Sequence, residues 1–445
     1  MQLKLQKKRT SHWVVWFALL IPVGSFAQNT PENILKTASL EQVVQYALVH
    51  QPAVQQAQID QVITNKVIFG KLADWYPQLN FSFTYNRFID LQKTVFNGNV
   101  IPIGVLNTSS AQLTATQNIF NRDVLLASTT ASKVRLQFAQ ATGKSKIDMV
   151  VNVTKAYYDA LSTVQQINVS NESIVRLQRS LKDAHSRYDA GISDKTDYKR
   201  ATIQLGNAQA LLKTNTELLK YKQEYLRTLI GYPVEQELSF QYDTLAMENE
   251  IYLDTLQQLD YKQNMDYKLL YTQRELQRAN ERYAVWAFLP SLSAFGNYFL
   301  NYQNNSSSEL YNKRYPYSYF GATLTLPILQ GGKRLAKISE QRWTTKRMDL
   351  SLTNLQSSLN TEYTRAIASY KSNLSNYLVQ KENVILANEV YEVTQLQYQS
   401  GIKTYLDVTV AETDLHTTRI NYYNALYQVL ASKMDVQRAL GQINY

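Results

Sequence analysis

Arg187-Tyr-Asp-Ala-Gly191-Ile192-Ser193-Asp-Lys-Thr-Asp197-Tyr-Lys-Arg-Ala201 decides the fold, because the chain says it again as Gln397-Tyr-Gln-Ser-Gly401-Ile402-Lys403-Thr-Tyr-Leu-Asp407-Val-Thr-Val-Ala411. Glycine, isoleucine, aspartate and alanine all return at an offset of 210, and the same shift carries Leu205 onto Leu415 and Gly231 onto Gly441. Upstream, Tyr76-Pro77-Gln-Leu79 matches Leu289-Pro290-Ser-Leu292 at an offset of 213. A tandem duplication of this extent predicts two equivalent halves and governs the reading of every local motif.

Each glycine turn is flanked by heptads. Val150, Tyr157 and Val164 take one seam position, and Val153, Ala160, Ile167, Ile174, Leu181 and Tyr188 the other. Shifted by 210, the second series becomes Tyr363, Tyr370, Tyr377, Val384, Tyr391 and Tyr398, the same seam rebuilt largely in tyrosine. As one helix, 122–188 extends about 100 Å at 1.5 Å per residue. After Gly191 the chain runs back through Ala201, Leu205, Leu212, Asn215, Leu219 and Leu226, with Ala411, Leu415, Thr418, Tyr422, Ala425 and Val429 as second-half equivalents.

The other end of each half alternates with a period of two. Leu79, Phe81, Phe83 and Tyr85 interleave with Asn80, Ser82, Thr84 and Asn86, a strand with one apolar and one polar face. A loop containing Asn97-Gly98-Asn99 and Asn107-Thr-Ser-Ser follows, then a second strand over about 111–120. The second half repeats the plan: a helix to about Phe288, Pro290, a strand to about Tyr302, a polar loop at 303–308, and a strand from Tyr317 to about Leu329. Such strands approach the ~9–11 residues of a tilted membrane-crossing strand. Each half is thus a strand pair at one end and a helical hairpin at the other. The predicted units are a first repeat over 28–231, a tether over 232–252 and a second repeat over 253–445.

Residues 1–27 read as a secretory signal: Lys7-Lys8-Arg9, an apolar stretch from Trp13 to Ile21, then Ser25-Phe26-Ala27. Four of the ten net positive charges lie in that segment, so the remainder carries a weak basic bias and no nucleic-acid footprint. Cysteine is absent, which excludes disulfides, thiolate metal sites and a cysteine nucleophile. The 32 tyrosines suit surfaces apolar at one end and wet at the other. After the signal no apolar run is long enough to cross a bilayer as a helix, so the mature chain is either soluble or crosses as strands.

Gly191 and Gly401 fit left-handed positions between antiparallel helices. That role leaves unexplained why Ile192 and Ile402 follow at an exposed tip, and two apolar residues at equivalent turns suggest a docking surface with Ser193 and Lys403 beside them. Asp197 and Asp407 fall in the first turns of the returning helices. They serve the helix dipole, or, if several copies close a tube, they form a carboxylate ring that selects cations or gates passage. Trp75, Tyr76, Trp286 and Phe288 lie where helix meets strand, suited to a membrane-interface belt or to core packing. Pro327-Ile-Leu-Gln-Gly331-Gly332-Lys333-Arg334 lacks the Walker spacing and reads as a strand-to-helix hinge. His185 and His416 have no ligand partners at metal spacing. No nucleophile triad or acidic pair stands out, so the chain is not expected to be an enzyme or to carry a cofactor.

The export signal, the duplicated halves with paired strands, the Tyr-x-x-Gly-Ile-x-x-x-x-Asp-x-x-x-Ala turn and the Pro-Ile-x-x-Gly-Gly hinge together resemble the TolC-type outer membrane efflux protein family, over about 38–441. The resemblance implies a mixed α+β membrane protein. Long helical hairpins would form a periplasmic α-barrel, and four strands from each protomer of a homotrimer would form a twelve-stranded transmembrane β-barrel. It implies residence in the outer membrane of a Gram-negative bacterium and service as the exit duct of a tripartite efflux pump or type I secretion system. The partners would be a periplasmic adaptor, an inner-membrane transporter of the RND or ABC type, and outer-membrane lipid. Carried over, the adaptor meets Gly191, Ile192 and Ser193 with Gly401, Ile402 and Lys403, and Asp197 and Asp407 sit at the periplasmic constriction. Where the family often carries a second acidic residue three positions on, this chain has Val410. The first half departs again at Gln117-Asn-Ile-Phe-Asn121-Arg122, with neither proline nor glycine pair.

Physics supplies a reason for copies: four strands cannot close alone, and open sheet edges in lipid leave backbone groups unsatisfied at several kcal/mol each. The alternative is a non-transporting periplasmic coiled-coil scaffold with its strand pairs used for dimerisation or ligand binding.

Overall fold

The computed structural model of the chain describes residues 37–233, 239–240 and 244–445. The export signal read at 1–27 lies outside them. In order the elements are β1 (Thr37–Ala38), α1 (Leu40–His50), α2 (Pro52–Ala73), β2 (Gln78–Arg87), β3 (Lys93–Phe96), β4 (Asn99–Pro102), β5 (Asn107–Phe120), α3 (Arg122–Asp189) and α4 (Lys195–Ile230). Then come β6 (Ser239–Phe240), α5 (Thr244–Asn249), α6 (Met265–Val285), β7 (Ser291–Asn304), β8 (Arg314–Thr325), α7 (Lys333–Gln399) and α8 (Tyr405–Leu440). The two long helices run 68 and 67 residues without a break. Among the described residues no helix is long and apolar enough to cross a membrane.

The four long strands form one antiparallel sheet in the order β2-β5-β7-β8. Its register sorts the side chains by face. Leu79, Phe81 and Phe83 align with Ala115, Leu113 and Ala111, then with Gly296, Tyr298 and Leu300. The opposite face aligns Asn80, Thr114 and Asn297, where Thr114 Oγ1 donates to Asn297 at 2.7 Å and Gln112 Nε2 to Thr114 at 2.9 Å. One face is therefore apolar and solvent-exposed, the other an amide-and-hydroxyl wall. Phe299 and Tyr317 stack on that wall at 4.5 Å.

Below the sheet the same lateral order continues in helices. α3 packs against α2 along its first half and α4 along its second, α6 and α8 lie against α3, and α7 packs against both α6 and α8. The seam supplies the reason: Val150, Val153, Tyr157, Ala160 and Ile174 are buried on α3, and Tyr370, Tyr377 and Tyr398 on α7. The main core sits at mid-length, where Leu161, Leu226, Ile230, Leu426, Val429 and Leu430 meet Ile251. Tyr370 reaches across this core to donate its hydroxyl to the Ile251 carbonyl at 2.8 Å. The segment at 247–251 thus packs on the core: α5 contributes buried Met247, and Glu248 pairs with Lys381 at 2.8 Å.

Several boundaries differ from the sequence reading. Ahead of the first strand the chain forms two helices, α1 and α2, broken where Gln51 caps α2 and Pro52 opens it. Asn107-Thr-Ser-Ser begins β5 instead of belonging to a loop, with Asn107 buried and its amide donating to the Asn305 carbonyl at 2.9 Å. The strand expected to reach Leu329 stops at Thr325, because Pro327 has no N–H for the ladder. Gly331 and Gly332, at φ 53 and 82, then turn the chain into α7. In the first half Asn121 alone makes that transition, its side chain accepting from the Asp123 amide at 2.7 Å.

Candidate functional site

The two glycine tips are built alike. α3 ends in a Schellman turn: Ile192 N–H donates to the Arg187 carbonyl at 2.8 Å and Gly191 N–H to Tyr188 at 2.9 Å, with Gly191 at φ 73. α7 repeats it with Ile402 to Gln397 at 2.9 Å and Gly401 to Tyr398 at 3.0 Å, with Gly401 at φ 78. The residue after such a glycine usually packs back on its own helix. Here Ile192 and Ile402 are 71% and 73% exposed, so the turn does not account for them. The tips lie side by side: the Arg187 guanidinium sits 4.6 Å over the Tyr398 ring and donates to the Gln399 carbonyl at 3.3 Å. Beneath them Ala184, Ala201, Tyr398, Tyr405 and Val408 form a small buried cluster.

The two aspartates differ. Asp407 closes a capping box, accepting from the Thr404 amide at 2.9 Å and hydroxyl at 2.8 Å while its own amide donates to Thr404 Oγ1 at 3.3 Å. The backbone bond first, then the hydroxyl, hold its carboxyl below the usual aspartate range. At the matching place in the first half the cap is Asp194, bonded to the Thr196 amide at 2.6 Å, and Asp197 is half-buried. The dipole reading thus describes Asp407 directly, and its side chain, like that of Asp197, is half-buried.

A group the sequence did not disclose lies a few turns up. Glu412 is buried between α8 and α3, accepting from Ser173 Oγ at 2.7 Å, Arg176 Nε at 2.9 Å and Arg176 Nη2 at 3.2 Å. It joins one hairpin to the other. The duplication could not have found it, because position 202 is a threonine. The pKa of His416, one turn further on, is driven below its ordinary value by burial. Among the described residues no three His, Asp or Glu groups converge on a metal position.

At the helix-to-strand junctions Trp75, Tyr76 and Phe288 are largely exposed and Trp286 is half-buried. Phe288 carries the Arg334 guanidinium at 4.6 Å. A cleft of about 740 Å³ opens there, lined by Arg122, Lys333 and Arg334 with Ser291 and Thr325 of the sheet's polar face.

Sheet, hinges and paired hairpins in this order define a four-stranded antiparallel sheet continued by long helical hairpins. The outer membrane efflux protein family model matches residues 43–232 and 239–442, and the chain belongs to that family. It is 22% identical to the outer membrane protein TolC of Escherichia coli K12 over 427 residues, covering 93% of this chain and 84% of that one. The solved CusC structure superposes with a TM-score of 0.75 at 18% identity, covering 90% of this chain and 91% of its own. The Campylobacter jejuni CmeC outer membrane channel superposes at 0.73 with 16% identity, covering 91% and 85%. The protein is thus an efflux channel component of the outer membrane with a large periplasmic portion.

Proposed function

We propose that three copies of this chain close into one pipe, a twelve-stranded barrel continued by a helical tube, that serves as the exit duct of a tripartite efflux pump or type I secretion system. The observation that carries this reading is the coincidence of open flanks. β2, α2 and α4 form one side of the protomer and β8 and α7 the other, and both carry apolar side chains into solvent along their length. Ile59, Val62, Ile63, Val67, Ile203 and Tyr221 stand on the first side, and Trp343, Leu350, Ile385, Val390, Val393 and Leu396 on the second. Backbone groups at the β2 and β8 edges have no partner strand within the sheet. In lipid such edges are untenable, and copies joining β8 to β2 and α7 to α2 and α4 satisfy both at once.

In the pipe the apolar face, Leu79 to Tyr85 outward, meets lipid, and the wall of Asn80, Ser82, Thr84, Gln112, Thr114 and Asn297 faces water. Trp75, Tyr76, Trp286 and Phe288 form the periplasmic interfacial belt. Ile192 with Gly191 and Ser193, and Ile402 with Gly401 and Lys403, receive a periplasmic adaptor. Asp197 and Asp407 ring the narrow end, and an inner-membrane transporter of the RND or ABC type supplies the energy. Cell fractionation with electrophoresis before and after boiling tests the reading: a heat-sensitive trimer in the outer membrane supports it. A periplasmic species that needs no detergent would replace it with the coiled-coil scaffold.

A further inference from the structure

The connection between β2 and β5 holds a ribbon. β3 and β4 pair through Lys93↔Pro102, Thr94↔Ile101, Val95↔Val100 and Phe96↔Asn99. Asn97 and Gly98, at φ 50 and 80, make the two-residue turn that suits a twisted hairpin. Bonds from Phe88 N–H to the Leu106 carbonyl at 2.8 Å and from Ile103 N–H to Gln92 at 2.7 Å graft it onto the β2/β5 pair. Both its faces are apolar. Val95 and Val100 share one, Phe96 and Ile101 the other, and Val95, Phe96 and Val100 are 68%, 65% and 64% exposed. An isolated two-stranded ribbon is marginal in water, so apolar surface on both faces implies a cover.

The sheet says what that cover is. The apolar face below ends at the row Tyr85, Ser109, Tyr302 and Arg314, followed by Arg87. Those arginines mark where hydrocarbon gives way to headgroups, and the ribbon lies beyond them, past the reach of acyl chains. It grows directly from β2, the open edge to which the next copy's β8 attaches, so it stands at the end of that interface. We propose that the ribbons of three copies meet over the outer mouth of the barrel, covering one another's Val95, Phe96, Val100 and Ile101 and forming a lid that narrows the exit. This rests on the trimeric-duct reading.

The chain has no cysteine, so Phe96→Cys places a single thiol on each copy. Outer membranes carrying this variant, or Val100→Cys as a second position, are oxidised with copper phenanthroline and run unboiled and boiled. In parallel, purified wild type and a variant with residues 92–103 replaced by a short Gly-Ser turn are inserted in planar bilayers. The lid predicts disulfide-linked pairs of copies at one or both positions and a severalfold rise in conductance on removing the ribbon. Heat-sensitive trimers with unlinked thiols and unchanged conductance would overturn the lid and leave the duct standing. Quenching of a label at position 96 by a lipid-borne quencher, or linkage to a different protein, would also overturn it. Loss of trimers from wild-type membranes would remove the duct and the lid together.

Discussion

Gly231 lies so close to His50 that a β-carbon on it would stand 2.8 Å from the His50 carbonyl oxygen, and Gly441 stands in the same relation to Gln263, also at 2.8 Å. Both glycines have φ 72 and end α4 and α8. The residues they face immediately precede Gln51 and Asn264, the caps of α2 and α6. The duplication's two registers, 210 and 213, meet in this one contact, which locks the returning helix under the next. Gly231→Ala and Gly441→Ala should each lower the thermal dissociation temperature more than Gly191→Ala. The last has open space around it and carries only the left-handed backbone cost, about 1–2 kcal/mol. Equal losses at all three would contradict the close-approach account.

Glu412 holds the two hairpins together from inside. Glu412→Ala leaves Arg176 at the interface with one carboxylate, Glu172 at 3.8 Å, and with the Tyr391 ring at 5.7 Å. Removing one partner of a buried pair costs about 3–5 kcal/mol, and the remaining Glu172 places this case near the lower end. Denaturant unfolding in detergent checks it. Glu412→Gln, which keeps the shape and an acceptor for Ser173, should lose less.

Tyr370 is the deepest of the tyrosines in the second seam, with no exposed surface. Tyr370→Phe leaves the Ile251 carbonyl unpaired and should cost about 1 kcal/mol, whereas Tyr370→Ala should cost about 3–5 kcal/mol through the cavity. Limited proteolysis near residues 244–256 should quicken in the same order. A Tyr370→Phe protein as weak as the alanine variant would refute this division.

Asp407 makes the second tip sensitive to acid. Its folded pKa lies below the unfolded one, so its contribution is present above about pH 4 and is lost as pH falls through the depressed value. Hydrogen-exchange protection of the first turn of α8 should fall with acid in the wild type. Asp407→Asn should abolish that pH dependence, and an unaltered profile would show that the capping box does not titrate.

Ile192→Asp or Ile402→Asp should abolish export-dependent drug tolerance or secretion while leaving trimers in the membrane, since both side chains stand in solvent and support no core. Replacing Gly191 or Gly401 with a bulky residue should act alike. Unchanged export in all of them would remove the docking role.

Most of the architecture was legible because the chain states it twice: the glycine turns and the heptad seams fell where the residues put them. What escaped was written once. Asn97-Gly98 between apolar residues is a hairpin signal, but the polar stretch from Asn107 masked the end of the ribbon and the start of β5. A strand on a water-facing wall needs no apolar residue there. Glu412 had no counterpart in the other half, and its role depends on α8 lying against α3, which periodicity does not state. The Thr404–Asp407 box emerged only from the geometry, which shows the carboxylate already engaged.

A duct exists only if copies seal the flanks that one chain leaves open. Native mass spectrometry of the protein released from outer membranes in detergent measures this most directly. It should find three chains per particle, held until the detergent is stripped or the sample boiled. A single chain, stable in buffer without detergent, would contradict it.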